Sequence, residues 1–239
     1  MFVFKRRNII IIFALIVTFV TFIVCFSALS TLKAGIGLES KIKVVIDAGH
    51  GGIDNGVTGK YTGVKESQLN LIISKKIGAL FEDAGIEVVY TRNTESGLYG
   101  VATASLKRKD MQKREEIIKK TNPNLVLSIH MNYYSMPSRR GAQVFYKADD
   151  EKGKNLAKFI QNELNEMPDA SRECSILSGD YYILNCTNFP SALVECGFLS
   201  NMEDEKLLTN STYQDNISYT IFKGAMGFLL ESVGKVFEE

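Results

Sequence analysis

Short apolar runs alternate along the chain with longer stretches in which apolar residues recur at helical spacing. The runs are rich in β-branched residues and are bounded by turn-forming residues, a pattern that predicts strands. We predict strands over residues 43–47, 87–91, 125–130, 142–146 and 191–194.

The longer stretches predict helices. Over 67–84 the apolar residues fall on one helical face, and Gly85 follows as a stop signal. Further helices are predicted over 110–120, 152–166 and 212–237, and Ser200 with Glu203 has the form of a capping box that begins a short helix. This alternation predicts one α/β domain with a central, mostly parallel sheet flanked by helices.

The N-terminus has a different pattern. A basic segment at 5–7 precedes 24 uncharged residues, 9–32. A helix of that length measures roughly 36 Å, whereas a hydrocarbon core is about 30 Å thick. A cleaved signal peptide is the alternative, because 28–30 offers small residues at a cleavage site. We therefore predict a signal peptide or membrane-anchor helix over 1–33 and an extracytoplasmic domain over 34–239.

The predicted exported domain has 24 basic and 27 acidic residues, a formal charge of −3. That charge lacks the basic excess typical of nucleic-acid-binding proteins, so we expect no nucleic-acid partner. Its cysteines, Cys174, Cys186 and Cys196, lack the CxxC spacing of a structural zinc site. A bond between Cys174 and Cys186 remains open, and buried free thiols are the simpler interpretation.

The chain contains two histidines, and both lie at the ends of predicted strands. His50 follows the first strand, in the segment IDAGHGGIDNG, and His130 ends the run LVLSIH. Sheets of this kind bind ligands at the carboxyl ends of their strands. The pattern therefore predicts a shared site, with two structural histidines as the alternative.

Two carboxylates can complete such a site. Catalytic zinc is commonly held by two imidazoles and one carboxylate. Glu66, at the start of a predicted helix, is the candidate third ligand, with a stabilising interaction at the helix N-terminus as the alternative. Glu195 directly follows an apolar strand and is the candidate proton carrier, with a buried salt bridge as the alternative.

Four segments, IDAGHGGIDNG, KESQLNL, SIHMN and VECGFLSN, occur in this order and resemble the zinc-dependent N-acetylmuramoyl-L-alanine amidases. The resemblance covers nearly all of the chain from residue 43. It implies that His50, Glu66 and His130 bind zinc and that Glu195 is the catalytic residue.

Three further residues match family positions: Arg92, Arg114 and Asn132. For the arginines, an ion pair that braces the fold and a contact with substrate are both open. Asn132 is a candidate supporting residue within the matched SIHMN segment. The family often has Asn five residues after the position of Arg114, whereas this chain has Lys119.

The single domain behind an apolar N-terminus is most similar to the CwlD-type sporulation and germination amidases. That resemblance implies hydrolysis of the amide between N-acetylmuramic acid and L-alanine in spore cortex peptidoglycan, leading to muramic-δ-lactam. Peptidoglycan is then the substrate, and the sequence leaves open an accessory protein that aids activity or metal retention. The alternatives are a zinc carboxypeptidase or endopeptidase acting on the stem peptide and a catalytically silent peptidoglycan-binding protein.

Overall fold

The computed structural model of the protein describes residues 42–101, 104–170 and 172–236. The predicted signal peptide or anchor over 1–33 lies outside these residues. Among the described helices, none combines the length and the apolar character needed to cross a bilayer. The elements described below all lie within residues 43–236.

The described residues contain six strands and six helices. The strands are β1 Lys43–Ala48, β2 Glu87–Tyr90, β3 Leu125–Asn132, β4 Gln143–Tyr146, β5 Leu177–Ser178 and β6 Ser191–Phe198. The helices are α1 Glu66–Asp83, α2 Leu106–Thr121, α3 Glu151–Asn165, α4 Tyr182–Asn185, α5 Met202–Leu208 and α6 Ser211–Val236. Each strand and helix that was predicted between residues 43 and 237 is present, with ends that differ by no more than four residues.

All six strands belong to one sheet, in the order β2-β1-β3-β6-β4-β5. Every neighbouring pair is parallel except β4 and β6, which are antiparallel. Parallel neighbours need long crossover connections, and the helices between the strands supply them. The predicted α/β fold with a mostly parallel sheet is confirmed.

Helices cover both faces of the sheet. On one face α1, α3 and α6 pack around a large apolar core that includes Ile73, Leu127 and Ile160. On the other face α2 and α4 cover a smaller cluster that includes Ile118 and Leu193. The central strands are therefore buried on both sides, which explains why the sequence has continuous apolar runs there rather than an alternating pattern.

The carboxyl ends of β1, β3 and β6 lie at one edge, because these strands are parallel neighbours. Ala48 pairs with Ile129, and His130 pairs with Glu195. Beyond that pair the register shifts and Asn132 pairs with Phe198, so β6 contains one extra residue. Such a bulge redirects side chains at the end of a strand. The edge thus brings together three chain segments that are distant in sequence.

The helix predicted after β6 is α5, but the prediction of its cap is wrong. Asn201 is the N-cap, and its Oδ1 accepts hydrogen bonds from the N–H groups of Glu203 and Asp204 at 3.0 and 3.1 Å. Ser200 Oγ accepts instead from the N–H of Tyr134 at 3.0 Å. The serine hydroxyl therefore binds the loop after β3 and does not cap the helix.

The segment between α3 and β6 contains the two elements that the pattern did not predict, β5 and α4. They have two and four residues, too few for an apolar period to emerge. Cys174 and Cys186 lie in or next to the same elements and are free thiols, as is Cys196.

Gly224 of α6 lies against the backbone of α3, which generates a prediction about stability. A methyl group at Gly224 would lie 2.6 Å from Ile160 Cα and 2.9 Å from the Phe159 carbonyl oxygen. Because both are helix backbone atoms, side-chain rotation cannot relieve the overlap. We expect Gly224→Ala to lower the free energy of unfolding by about 1–3 kcal/mol, although alanine ordinarily favours helices.

Gly227→Ala is the matched control, because its methyl group would meet only the ring of Phe159, at 2.9 Å. We expect an effect within about 1 kcal/mol, since the ring can shift and alanine favours the helix. Chemical denaturation measures both variants. Equal effects of the two substitutions would contradict the close packing of α3 and α6.

Candidate metal centre

His50, Glu66 and His130 converge at the carboxyl edge of the sheet. Glu66 Oε1 lies 3.2 Å from His50 Nε2 and 2.9 Å from His130 Nδ1. The two imidazole rings meet edge to face, with centroids 5.0 Å apart. One ligand atom from each residue lies within 4.8 Å of the others. This arrangement can hold a metal ion.

The turn after β1 brings His50 back over the sheet edge. His50 has a φ of +61°, a left-handed conformation that costs energy for a residue with a side chain. Gly49 precedes it, and a Cβ there would lie 2.2 Å from His130 Cε1. Only glycine fits between the strand end and this ring, so the turn and the position of His130 depend on each other.

Two buried arginines hold the carbonyl groups of that turn. Arg92 donates from Nε to Ala48 O at 2.9 Å and from Nη2 to Gly49 O at 2.8 Å. Arg114 donates from Nη1 to Ala48 O at 2.8 Å and from Nη2 to His50 O at 2.6 Å. Of the two roles left open for the arginines, the structure places both guanidinium groups in bracing contacts inside the fold.

Asp47 balances the charge of Arg114. Its Oδ1 lies 2.5 Å from Arg114 Nη1, and its two oxygens accept from the hydroxyls of Thr91 and Ser128, each at 2.7 Å. Burial alone would raise the pKa of Asp47, but Arg114 and the two hydroxyls outweigh burial and lower that pKa to about 2. Arg114 Nε also pairs with Asp110 at 2.7 Å. The turn therefore rests on a charged network whose members are all bonded.

Glu66 is the first residue of α1, and its side chain is turned into the site. Its Oε2 accepts from the N–H of Val57 at 2.9 Å, and its Oε1 accepts from the N–H of Met131 at 3.2 Å. Burial would raise the pKa of Glu66, but hydrogen bonds from His130 and His50 hold it well below the usual range. The carboxylate is therefore charged and oriented toward both histidines.

Asn70 orients Glu66, and sequence reasoning missed it. Its Nδ2 donates to Glu66 Oε1 at 3.2 Å and to Gly49 O at 3.1 Å, so one amide joins the glutamate to the His50 turn. Asn70 is fully buried. The available signal was its spacing of four residues from Glu66, which places both on one face of α1.

Asp54 is a second residue that sequence reasoning missed. Its Oδ1 lies 3.0 Å from His50 Nδ1, on the opposite side of the ring from Glu66. Burial would lower the pKa of His50, but Glu66 and Asp54 outweigh burial and raise it. A carboxylate on the far nitrogen commonly orients a metal-binding histidine. Asp54 thus fixes which imidazole nitrogen faces the other ligands.

Glu195 lies on β6 beside His130 of β3. Its side chain is buried, and its Oε2 has no hydrogen-bond partner among the described residues. Burial, together with the charge of Glu66, raises the pKa of Glu195 to about 7 against the opposing effect of the histidines. No described residue forms a salt bridge with Glu195. The site therefore has, beside its three converging side chains, a carboxyl group that can gain or lose a proton near neutral pH.

Asn132 and Lys119 make local contacts. Asn132 Oδ1 accepts from the N–H of Tyr133 at 2.8 Å, and this is its only side-chain hydrogen bond to a described residue. Lys119 pairs with Glu115 at 2.5 Å on α2. The supporting role predicted for Asn132 therefore has no contact with the converging side chains behind it and stays a prediction.

A groove of about 470 Å³ opens beside His50 and His130. Its walls are the turn after β1, the start of α2 and the short helix α4. The lining is mainly apolar and aromatic, and it includes Ile53, Tyr99, Met111, Tyr181 and Ile183. Lys107, in the first turn of α2, lines it as well. A concave lining that combines apolar surface with polar groups is typical of a ligand-binding site.

Comparisons with known proteins agree with this geometry. Residues 44–226 match the family described as N-acetylmuramoyl-L-alanine amidase. The germination-specific N-acetylmuramoyl-L-alanine amidase of Bacillus subtilis is 32% identical over 200 residues, 81% of this chain and 82% of that protein. Two solved structures are similar over 98% of their own chains.

The first is the CwlD amidase from Clostridioides difficile in complex with the GerS lipoprotein, with 38% identity, a TM-score of 0.76 and 79% of this chain covered. The second is the amidase AmiC2 of Nostoc punctiforme, with 30% identity, a TM-score of 0.69 and 80% of this chain covered. The family match over residues 44–226 includes the segments in which the two histidines meet.

The charged network under the turn predicts a pH-dependent stability. The folded pKa of Asp47 is about 2, below an unfolded value of about 3.9. Charged Asp47 therefore stabilises the fold above about pH 4, and this contribution is lost as the pH falls toward 2. We expect Asp47→Asn to lower the free energy of unfolding at pH 7 by about 3–5 kcal/mol, because Arg114 loses its partner.

The difference between Asp47→Asn and the wild type should narrow as the pH falls from about 4 to 2, because the wild-type carboxylate becomes protonated in that range. Urea unfolding across the pH series measures it. A difference that stays constant down to pH 2 would mean that Asp47 is not held in its charged form by the fold.

Proposed function

Because the chain belongs to the N-acetylmuramoyl-L-alanine amidase family, we propose that it cleaves the amide between N-acetylmuramic acid and L-alanine as a zinc enzyme. His50, Glu66 and His130 bind the zinc, and Glu195 carries the proton. The observation on which the proposal rests is the convergence of three side chains that could hold a metal ion beside the buried Glu195, whose Oε2 has no hydrogen-bond partner among the described residues.

The side chains present fit zinc. Two imidazole nitrogens and one carboxylate oxygen form a ligand set of catalytic zinc sites, in which a fourth position stays open. The contact between Asp54 and the far nitrogen of His50 supports the same assignment, because metal-binding histidines usually have such a partner. When bound, zinc lowers the pKa of water and polarises a carbonyl group.

Glu195 performs the proton transfers. It accepts a proton from the water molecule that attacks the lactyl carbonyl carbon, and it returns that proton to the nitrogen of L-alanine as the carbon–nitrogen bond breaks. The products are a lactyl carboxylate on the glycan and a peptide with a free N-terminal alanine. A pKa of about 7 suits both transfers, since the group must act as base and then as acid at neutral pH.

The rival functions have less support. A carboxypeptidase or endopeptidase acting on the stem peptide would need the same metal chemistry, but the family match favours the muramoyl amide. A catalytically silent binding protein would not need Glu195 to be buried without a partner, since such burial is costly. We therefore regard both functions as less well supported than the amidase function.

The relatives support a role in spores. One is a germination-specific amidase, and another is a CwlD amidase that was solved with the GerS lipoprotein. By extension, we propose that this chain acts on spore cortex during sporulation, leads to muramic-δ-lactam, and has an accessory protein that aids activity or metal retention. Peptidoglycan lies outside the cytoplasm, so residues 1–33 would export or anchor the catalytic domain, 34–239.

Product analysis tests the proposed function. We expect the protein, supplied with zinc and intact peptidoglycan, to release peptides that begin with L-alanine and to leave glycan chains with bare lactyl groups. Mass spectrometry identifies both products. Shortened stem peptides alone would favour the carboxypeptidase or endopeptidase, and an absence of products with zinc and partner supplied would favour the binding protein.

Substitutions distinguish the metal ligands from the proton carrier. Glu195→Gln keeps the size of the side chain but cannot accept a proton, so turnover should fall by about 10²–10⁴-fold while zinc stays bound. His130→Ala leaves two ligands, so zinc content and activity should fall together. Zinc analysis, thermal unfolding and amide hydrolysis on the same preparations provide the comparison.

Three results would overturn these roles. Near-normal hydrolysis by folded, zinc-loaded Glu195→Gln would remove Glu195 from the mechanism. Stoichiometric zinc in His130→Ala would remove His130 from the ligand set. Loss of zinc in Glu195→Gln would instead make Glu195 a ligand and return Glu66 to a role at the start of its helix.

A further inference from the structure

Lys107 differs from the other charged residues of the groove beside His50 and His130. It is exposed in the first turn of α2 and forms no hydrogen bond or ion pair with any described residue. The other charged lining residues are each hydrogen-bonded or ion-paired: Asp47, Asp54, Asp110, Arg114 and Asp180. The groove therefore offers one uncommitted positive charge to a ligand.

Lys107 lines the same groove as His50 and His130. Asp54 lines that groove as well and contacts His50 Nδ1 at 3.0 Å. A ligand that fills the groove therefore reaches the ammonium group of Lys107 and the two histidines together. A ligand that reaches both must have a negative group near its reactive bond.

The groove wall favours a peptide over a sugar. The lining also includes Leu106, Met111, Ile183 and Leu193, whose side chains have no hydrogen-bonding groups. Sugar hydroxyls buried against them would lose hydrogen bonds to water without replacement, which is costly. Methyl and methylene groups of a short peptide would be stabilised there.

The stem peptide has a negative group close to the cleaved bond. On the amidase function proposed above, the cleaved bond ends at the nitrogen of L-alanine, and the next residue is D-glutamate joined through its γ-carboxyl group. Its α-carboxylate is then free, or is converted to an amide in some peptidoglycans. An extended residue spans about 3.3–3.6 Å, so this group lies within roughly 7 Å of the cleaved bond.

We propose that the groove binds the stem peptide and that Lys107 pairs with the α-carboxylate of its second residue. The enzyme then selects stem peptides with D-glutamate at this position over those with the α-amide. This inference rests on the proposed amidase function, and it makes Lys107 a specificity-determining residue that is separate from the metal ligands and from Glu195.

The expected preference is modest. Ion pairs that involve an exposed side chain contribute little, whereas hydrogen bonds to charged groups in partly enclosed sites contribute more. We expect a preference of about 3- to 10-fold in kcat/KM for the carboxylate. It should lie mainly in KM, because the carboxylate is bound equally in the substrate and in the transition state.

The experiment compares two glycan fragments that differ only at this group, one with D-glutamate and one with its α-amide as second residue. The zinc-loaded wild type should prefer the carboxylate, and the preference should shrink at high salt because ions screen the pair. Lys107→Gln should cleave both fragments with equal kcat/KM, and Lys107→Arg should keep the preference. Lys109→Gln is the matched control, since Lys109 is exposed on the same helical turn but does not line the groove.

Each other outcome overturns the assignment. An equal kcat/KM of the wild type for both fragments, or a preference that survives in Lys107→Gln, would exclude Lys107 as the carboxylate partner. An equal loss on both fragments in Lys107→Gln would mean that Lys107 contacts another part of the substrate, such as the glycan. If the wild type cleaves neither fragment nor intact peptidoglycan, the amidase function itself fails and this inference fails with it.

Discussion

The candidate centre depends on the hydrogen bonds that two buried arginines donate to the turn after β1. This turn leaves the sheet, so the carbonyl groups of residues 48–50 lose the ladder partners that the strand would supply. A buried carbonyl without a partner costs about 1–3 kcal/mol. Arg92 and Arg114 each present several donors in a fixed plane, which a lysine cannot do. The ion pair with Asp47 compensates the buried charge of Arg114. Arg114 can therefore donate to the turn in which His50 has its left-handed conformation.

Two buried carboxyl groups at this edge of the sheet differ in their hydrogen bonding. Asp47, buried nearby, is bonded by an arginine and two hydroxyls, and its pKa is low. Glu195, one strand further along the edge, has an oxygen without a partner, and its pKa is high. Folding alone favours the first arrangement, because an unpaired buried carboxyl group is destabilising. The cost at Glu195 is understandable where the group exchanges a proton with a reactant, as perturbed carboxyl groups in catalytic sites do.

The sequence predicted those parts of the site that lie at the ends of periodic elements. His50 follows a strand, Glu66 begins a helix, and His130 and Glu195 lie in the last part of their strands, so topology brings them to one edge. Asn70 had the signal of its four-residue spacing from Glu66 within one helix, but a spacing does not reveal what a side chain contacts. Asp54 lies in the turn after β1, where spacing gives no such signal. Asp47 and Arg114 are 67 residues apart and gave no local signal. The cap of α5 was misplaced because Ser200 and Asn201 both favour that position, and the contact of Ser200 with the loop after β3 decided between them.

The two sides of the centre are built differently, which bears on how substrate is selected. On one side, neighbouring carboxylates of α5 fasten backbone from separate loops: Glu205 accepts from the N–H groups of Tyr61 and Thr62, and Asp204 accepts from that of Gly141. Those contacts fix the loops that follow His50 and His130. On the other side the groove is lined by side chains of α2 and α4, and α4 has only four residues. Of these side chains, Arg114 and Asp110 also belong to the network under the His50 turn, whereas Met111 and Ile183 form no side-chain hydrogen bond to a described residue of that turn. The shape of the groove can therefore change at Met111 and Ile183 while the network that holds the turn stays in place.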